Sequence, residues 1–198
     1  MRLLELFSGT KSVGKVAETL GYEVTSLDLK NVDINTDILN WDYKTYDPKH
    51  FDVIWASPPC TEYSRALTTR TRNISAANQI VLKTLEIMEY LNPDYYVIEN
   101  PQTGLLKNQP FMYGIPYKDI DYCKYGMPYR KRTRLWNNVF RWNPEPLCKK
   151  DCGNIVDGKH IATAQRGPSK HLLNNRFTQS ELYVIPEQLI YDILLSVL

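Results

Sequence analysis

The sequence predicts an α/β fold built largely on parallel strands, and three observations carry that prediction. Through the first 140 residues the apolar segments alternate between strand-like and helix-like spacing. "FDVIWA" (51–56) has the composition of a strand buried on both faces, as in a parallel sheet. The residues best suited to a ligand follow the ends of such strands, where the loops of an open α/β sheet converge.

Taken in order, "RLLELF" (2–7) reads as a buried strand, followed by the polar loop "SGTKS" and a helix through "VGKVAETLG" that Gly21 ends. "EVTSLDL" is a second strand that finishes near Asp28, and the polar stretch after it leaves room for a short third strand. Beyond "FDVIWA", positions 77, 80, 81, 84, 85, 88 and 91 keep helical spacing, and Asn92-Pro93 stops that helix. "DYYVIEN" (94–100) and "RLWNNVF" (134–140) supply further strands, and "IPEQLIYDILLSVL" a terminal amphipathic helix with Pro186 in its first turn. The stretch from about 137 to 175, rich in Pro, Gly, Asn, Cys and basic residues, reads as irregular.

A chain of 198 residues with 43% hydrophobic and 23% charged side chains is sized and composed for one globular domain over 1–198. Its net charge of +2 names no partner, although "RALTTRTR" (65–72) and "YRKRTR" (129–134) are basic patches that suit a nucleic acid. No run of eighteen apolar residues is present and the N-terminus is too soon interrupted for a secretory signal, so the expectation is an intracellular protein without a membrane span, cytoplasmic if bacterial or phage-encoded. Four cysteines in that setting point to reduced thiols, ligands or catalysts rather than a disulfide frame.

Four strand ends carry the chemistry. "FSGTKSVGK" has the strand, tight turn and helix order that lets backbone amides approach a nucleotide-like ligand, but Gly9 and Gly14 do not spell a dinucleotide fingerprint and no Gly-Lys-Ser/Thr closes a phosphate loop. That argues against a nicotinamide oxidoreductase. Asp28, at the end of the second strand, suits a ribose diol. In "ASPPCTEYSRA" (56–66) two prolines restrict the backbone before Cys60 and its neighbours are polar, so the thiol is presented rather than packed, with Arg65, Arg70 and Arg72 available to lower its pKa once the loop closes. In "VIENP", Glu99-Asn100 places an acid where it can assist addition of a thiolate to a ring.

Phe7-Ser8-Gly9, Pro58-Pro59-Cys60, Glu99-Asn100 and Tyr125-Gly126-Met127-Pro128 followed by Arg132-x-Arg134 occur in the order found in the cytosine-5 DNA methyltransferases, which this chain resembles from residue 1 to about 140, with a weaker trace in "RFTQSELYVIPEQL". The resemblance implies a Rossmann-like, doubly wound, mostly parallel sheet and methyl transfer from S-adenosylmethionine to carbon 5 of cytosine. It implies that Cys60 attacks carbon 6, that Glu99 protonates N3, that Arg134 and Arg132 hold the base oxygen or a phosphate, and that Asn100 shapes the loop. Phe7, Ser8, Gly9, Asp28 and Pro58 would contact the cofactor, and Asp37 and Ile38 its adenine. The target base must be flipped from a duplex or offered single-stranded. The chain departs from the family at Thr61, Tyr63, Pro101, Lys11, Ser12 and Tyr129, and its arginine motif needs one extra residue to align.

Between the arginine motif and the closing trace only about 40 residues remain, the scale of a loop rather than a target-recognition domain. Sequence readout is then short, loose, or supplied by a protein partner or self-association. Within this segment (about 141–175) Cys148, Cys152 and His160 have spacing that suits a structural zinc ion if Cys123 joins them, and Lys149, Lys150, Lys159, Arg166 and Lys170 could meet phosphates. DNA is the expected substrate. RNA, through a tRNA-directed branch with the same motifs, and a non-catalytic nucleic-acid-binding relative are the alternatives, the latter having no need of Cys60 and Glu99. So trimmed an enzyme is unsurprising in a phage or other virus.

Overall fold

A computed structural model describes residues 1–165 and 177–198. Arg166, Lys170 and the Arg176 that opens the closing trace lie outside the described residues. Seven strands form one sheet: β1 (Arg2–Leu6), β2 (Glu23–Asp28), β3 (Ile34–Asn35), β4 (Val53–Ala56), β5 (Tyr95–Pro101), β6 (Tyr117–Asp121) and β7 (Arg132–Asn137), in the order β3-β2-β1-β4-β5-β7-β6. The first five pair in parallel, and β7 runs antiparallel to both β5 and β6. The sheet is therefore mostly parallel, as the sequence predicts.

Successive side chains of a strand point to opposite faces, and the core divides accordingly. Leu3, Trp55, Val97 and Leu135 face one way and pack with helices α1 (Ser12–Thr19) and the C-terminal helix (Glu187–Leu195). Leu4, Ile54, Ile98 and Trp136 face the other and pack with α2 (Ile74–Leu91). Both layers are needed because β1, β4 and β5 are apolar on both sides. Each fully buried Leu, Ile or Val contributes roughly 1.5–3 kcal/mol.

α2 begins three residues before its first apolar anchor, where the Asn73 side chain accepts a hydrogen bond from the Ala76 amide (3.0 Å). It ends where Asn92 turns left-handed at φ 46°, ahead of Pro93. Three expectations need correction. Pro186 precedes the C-terminal helix as its cap instead of sitting in the first turn. β7 starts at Arg132 and ends at Asn137, so Val139 and Phe140 lie beyond it. The stretch after 137 holds a small antiparallel hairpin, Ile155–Val156 with Lys159–His160, closed through Asp157 and Gly158, both at positive φ.

β6 was not expected from the apolar pattern. Its sequence, "YKDID", has one aliphatic residue, Ile120. It is held instead by ion pairs across β7: Asp121 takes two hydrogen bonds from Arg132 (3.0 and 2.7 Å), and Asp119 takes two from Arg134 (2.7 and 2.9 Å). Such paired forks are the stronger form of carboxylate–guanidinium contact.

Candidate active site

A cavity of about 470 Å³ opens at the carboxyl ends of β1, β2, β4 and β5, the edge of a doubly wound sheet where ligands collect. Because β7 is antiparallel to β5, its beginning, not its end, lies at that edge.

One end of the cavity is built mainly from backbone. Phe7 (φ 61°) and Gly9 (φ 37°) turn the chain sharply after β1. The Gly9 amide donates to Asp28 Oδ2 (2.8 Å) and the Leu29 amide to Asp28 Oδ1 (2.6 Å), which fixes the carboxylate at the rim. The Glu5 carboxylate accepts the Val13 and Gly14 amides (3.2 and 3.0 Å) at the start of α1. Burial pushes Glu5 up to about 7, against the lowering effect of these two amides. A methyl group on Gly14 would lie 2.8 Å from Glu5 Oε2, so a side chain here would push the carboxylate off the helix amides. Asp37 caps a short 3₁₀ turn through the Leu39 amide (2.9 Å), and Asp37 and Ile38 close this end. Phe7, Ser8, Gly9, Asp28, Asp37, Ile38 and Pro58 all line the cavity.

The other end is assembled from side chains distant in sequence. The Ser57 amide bonds to the Leu6 carbonyl (3.2 Å), and Asn100, fully buried, donates from Nδ2 to the Pro58 carbonyl (2.9 Å). Asn100 thereby fixes the Pro58-Pro59-Cys60 turn. Cys60 and Glu99 both open into the cavity. Glu99 Oε1 accepts from the Tyr122 hydroxyl (2.9 Å) and lies 3.9 Å from Lys131 Nζ. Burial first, and then the Glu99 charge, push the Cys60 thiol up, while Lys131 pulls it down.

The arginines expected here are elsewhere. Arg132 and Arg134 do not line the cavity, because Asp121 and Asp119 hold them, and the Arg134 guanidinium also stacks 3.5 Å from the Tyr117 ring centre. Arg65, Arg70 and Arg72, expected to reach Cys60 once their loop closes, stand outside the cavity in this arrangement. Arg70 pairs with Glu62, Arg72 donates to the Ser64 and Arg65 carbonyls (3.0 and 3.3 Å), and none of the three lines the cavity. Lys131 takes that place, with Glu5, Ser57, Tyr183 and Ile185, none of which sequence reasoning singled out. For Lys131 a signal existed: alternation along β7 puts 131, 133 and 135 on the Glu99 face, and 132 and 134 on the other.

Away from this cavity, Cys123, Cys148, Cys152 and His160 bring their ligand atoms within 4.8 Å of one another. Cys148 Sγ lies 3.5 Å from His160 Nε2 and accepts the Lys150 amide at 3.3 Å, with Lys150 in a left-handed turn (φ 72°). The Cys148 amide in turn donates to Asp121 Oδ2 (3.0 Å), tying the segment to β6. Three thiols and an imidazole with an amide bonded to sulfur form a donor set that fits tetrahedral zinc.

The sequence of the C-5 cytosine-specific DNA methylase family matches residues 1–129. A probable DNA (cytosine-5)-methyltransferase of Frog virus 3 (isolate Goorha) is 37% identical, over 78% of this chain and 79% of its own. The chain belongs to the C-5 cytosine-specific DNA methylases. Members of this family of enzymes transfer a methyl group from S-adenosylmethionine to carbon 5 of cytosine. Two solved structures share the fold, each with a TM-score of 0.54: a prophage-encoded methyltransferase (E. coli), 14% identical over 79% of this chain, and a methyltransferase of Entamoeba histolytica, 19% identical over 73%. This methylase chain spans 56% and 55% of their lengths. Among its described residues, no helix is long and apolar enough to cross a membrane.

Proposed function

We propose that this chain methylates carbon 5 of cytosine in DNA through a transient bond between Cys60 and carbon 6. The observation that carries this reading is that the Cys60 thiol and the Glu99 carboxyl share one cavity with the Gly9–Asp28 turn. S-adenosylmethionine supplies an electrophilic methyl group on a sulfonium. Of the residues that line the cavity, Phe7, Ser8, Gly9, Asp28 and Pro58 would contact this cofactor, Asp28 at the ribose diol, and Asp37 and Ile38 would meet its adenine.

Carbon 5 of cytosine is a poor nucleophile until something adds across the neighbouring double bond. The Cys60 sulfur forms a bond to carbon 6 as Glu99 passes a proton to N3, giving an enamine whose carbon 5 accepts the methyl group. Loss of the carbon 5 proton to solvent then breaks the sulfur–carbon bond, regenerates the thiolate and returns the N3 proton to Glu99. The Tyr122 hydroxyl holds the Glu99 carboxyl in place throughout, and Asn100 holds the turn that presents the sulfur.

The test is incubation with radiolabelled S-adenosylmethionine and, separately, DNA and RNA. Label is expected in DNA cytosine and is lost in Cys60→Ala by at least about 10³-fold, as for removal of a covalent nucleophile. 5-Fluorocytosine in the same DNA should leave a covalent adduct at Cys60. Label confined to RNA, or an unlabelled product in both polymers, rejects the proposal.

The Cys₃His cluster supports a second element of this reading. One structural zinc ion held by Cys123, Cys148, Cys152 and His160 staples the segment of about 141–175, which stands in place of a target-recognition domain. A segment this short leaves sequence readout to a partner protein or to a second copy of the chain. Metal analysis of protein purified under reducing conditions should return about one zinc per chain, and a chelator should lower the melting temperature. A zinc content near zero rejects the site.

A further inference from the structure

A cation beside a sulfur favours its thiolate; of the arginines offered by the sequence, Arg70 and Arg72 bond elsewhere, and none of the three lines the cavity. Among the described residues that line the cavity, Lys131 is the sole cation. It immediately precedes β7, on the face that carries Glu99 across the β5–β7 pair. Its side chain is 16% exposed. The ammonium sits 4.7 Å from the Tyr122 ring centre and donates to the Leu182 carbonyl (3.1 Å). A ring face and a carbonyl hold the charge in place without neutralising it, and among the described residues its counter-charge is Glu99 at 3.9 Å.

Resting on the reading of Cys60 as the nucleophile, we infer that Lys131 is the cation that sustains the Cys60 thiolate, in the place the sequence pattern gave to Arg65, Arg70 and Arg72. The thiol proton goes to solvent, and Lys131 keeps its own protons. The groups that face Cys60 make this conditional on the charge of Glu99. Glu99 opposes the thiolate and Lys131 favours it; Glu5, Asp28 and Asp37 also line the cavity, on the turns after β1 and β2 and at the 3₁₀ cap. When Glu99 takes up the proton that it passes to N3, its charge no longer opposes the thiolate and the attraction of Lys131 remains in force. The nucleophile is thus generated as Glu99 is protonated.

The test uses the full chain without nucleic acid or methyl donor, so its outcome is separate from what the protein methylates. The rate of Cys60 alkylation by iodoacetamide is followed against pH, resolved from the other thiols by peptide mass spectrometry. Lys131→Met keeps the aliphatic stem against Tyr122 while removing the charge. It should raise the midpoint by about one pH unit and slow alkylation at pH 7.5 roughly tenfold. Lys131→Arg should restore the rate to within about threefold, because it restores the charge, and Arg70→Met should leave the profile in place. Lys131→Gln, read in the same way, substitutes for the methionine variant if that one does not melt cooperatively. A charge-removed variant whose profile superimposes on wild type, or an equal shift in Arg70→Met, overturns the inference.

Discussion

The two sides of the sheet are stabilised by different physics. In β1, β4 and β5 the strands are buried on both faces, and Leu3, Leu4, Ile54, Trp55, Val97 and Ile98 are without solvent contact or nearly so. In β6 and β7 the cross-strand rungs are Asp121–Arg132 and Asp119–Arg134, the latter with the Tyr117 ring stacked on its guanidinium. Apolar strands tolerate exchange of one aliphatic side chain for another of similar volume. Charged rungs do not, because removing one partner strands the other. The comparison teaches that a basic stretch near a catalytic cavity can belong to the scaffold.

Breaking the inner rung should have the larger effect. Asp121 is fully buried and accepts from both Arg132 and the Cys148 amide, so it holds β7 and the cysteine segment at once. Asp121→Asn leaves a guanidinium short of its counter-charge and is expected to cost about 2–4 kcal/mol, less than a fully buried pair would because Arg132 retains 32% exposure. Asp119→Asn, at the outer rung with its carboxyl 20% exposed, is expected to cost about 1–2 kcal/mol. Urea unfolding of both variants checks the order. The Asp121→Leu, Arg132→Met pair should recover part of the loss, and a double variant no better than Asp121→Asn would show that the rung is not the source of the effect.

The same contrast explains what could be read from the sequence. β1, β4, β5 and α2 were legible because burial writes itself as apolar periodicity, and the cavity followed because strand ends at one edge of a parallel sheet converge. Cys60, Glu99, Asn100, Gly9 and Asp28 could be placed for that reason. β6 was not legible, since "YKDID" becomes a strand only when Arg132 and Arg134 arrive opposite it, a pairing that sequence spacing does not encode. The fate of those arginines was hidden with it. Lys131 was half legible: alternation along β7 marks its face, but which strand edge that face meets depends on β7 running antiparallel, which inverts the edge at which a strand presents its residues. Cys123 joins its distant partners because the turn after β6 carries it there. Spacing alone could not show that it reaches them.

The apolar side has its own exception, and it sharpens the contrast at the smallest scale. Glu5 is a buried carboxyl inside the first strand, 4% exposed, with two helix amides on its oxygens. Burial outweighs those amides and lifts it from the ordinary glutamate range to about 7. The folded state therefore binds a proton more tightly than the unfolded chain does, so stability from this group is fully present below about 4.5 and is lost as pH rises through about 7. A rise of this size corresponds to a loss on the order of 3 kcal/mol. Carbon-13 NMR titration of the Glu5 carboxyl should show a midpoint near 7, and the urea midpoint of the wild type should fall across the same window. A Glu5 carboxyl that titrates near 4.5 would mean that two amides and a helix start outweigh burial even here, and that charge, not desolvation, governs both sides of the sheet.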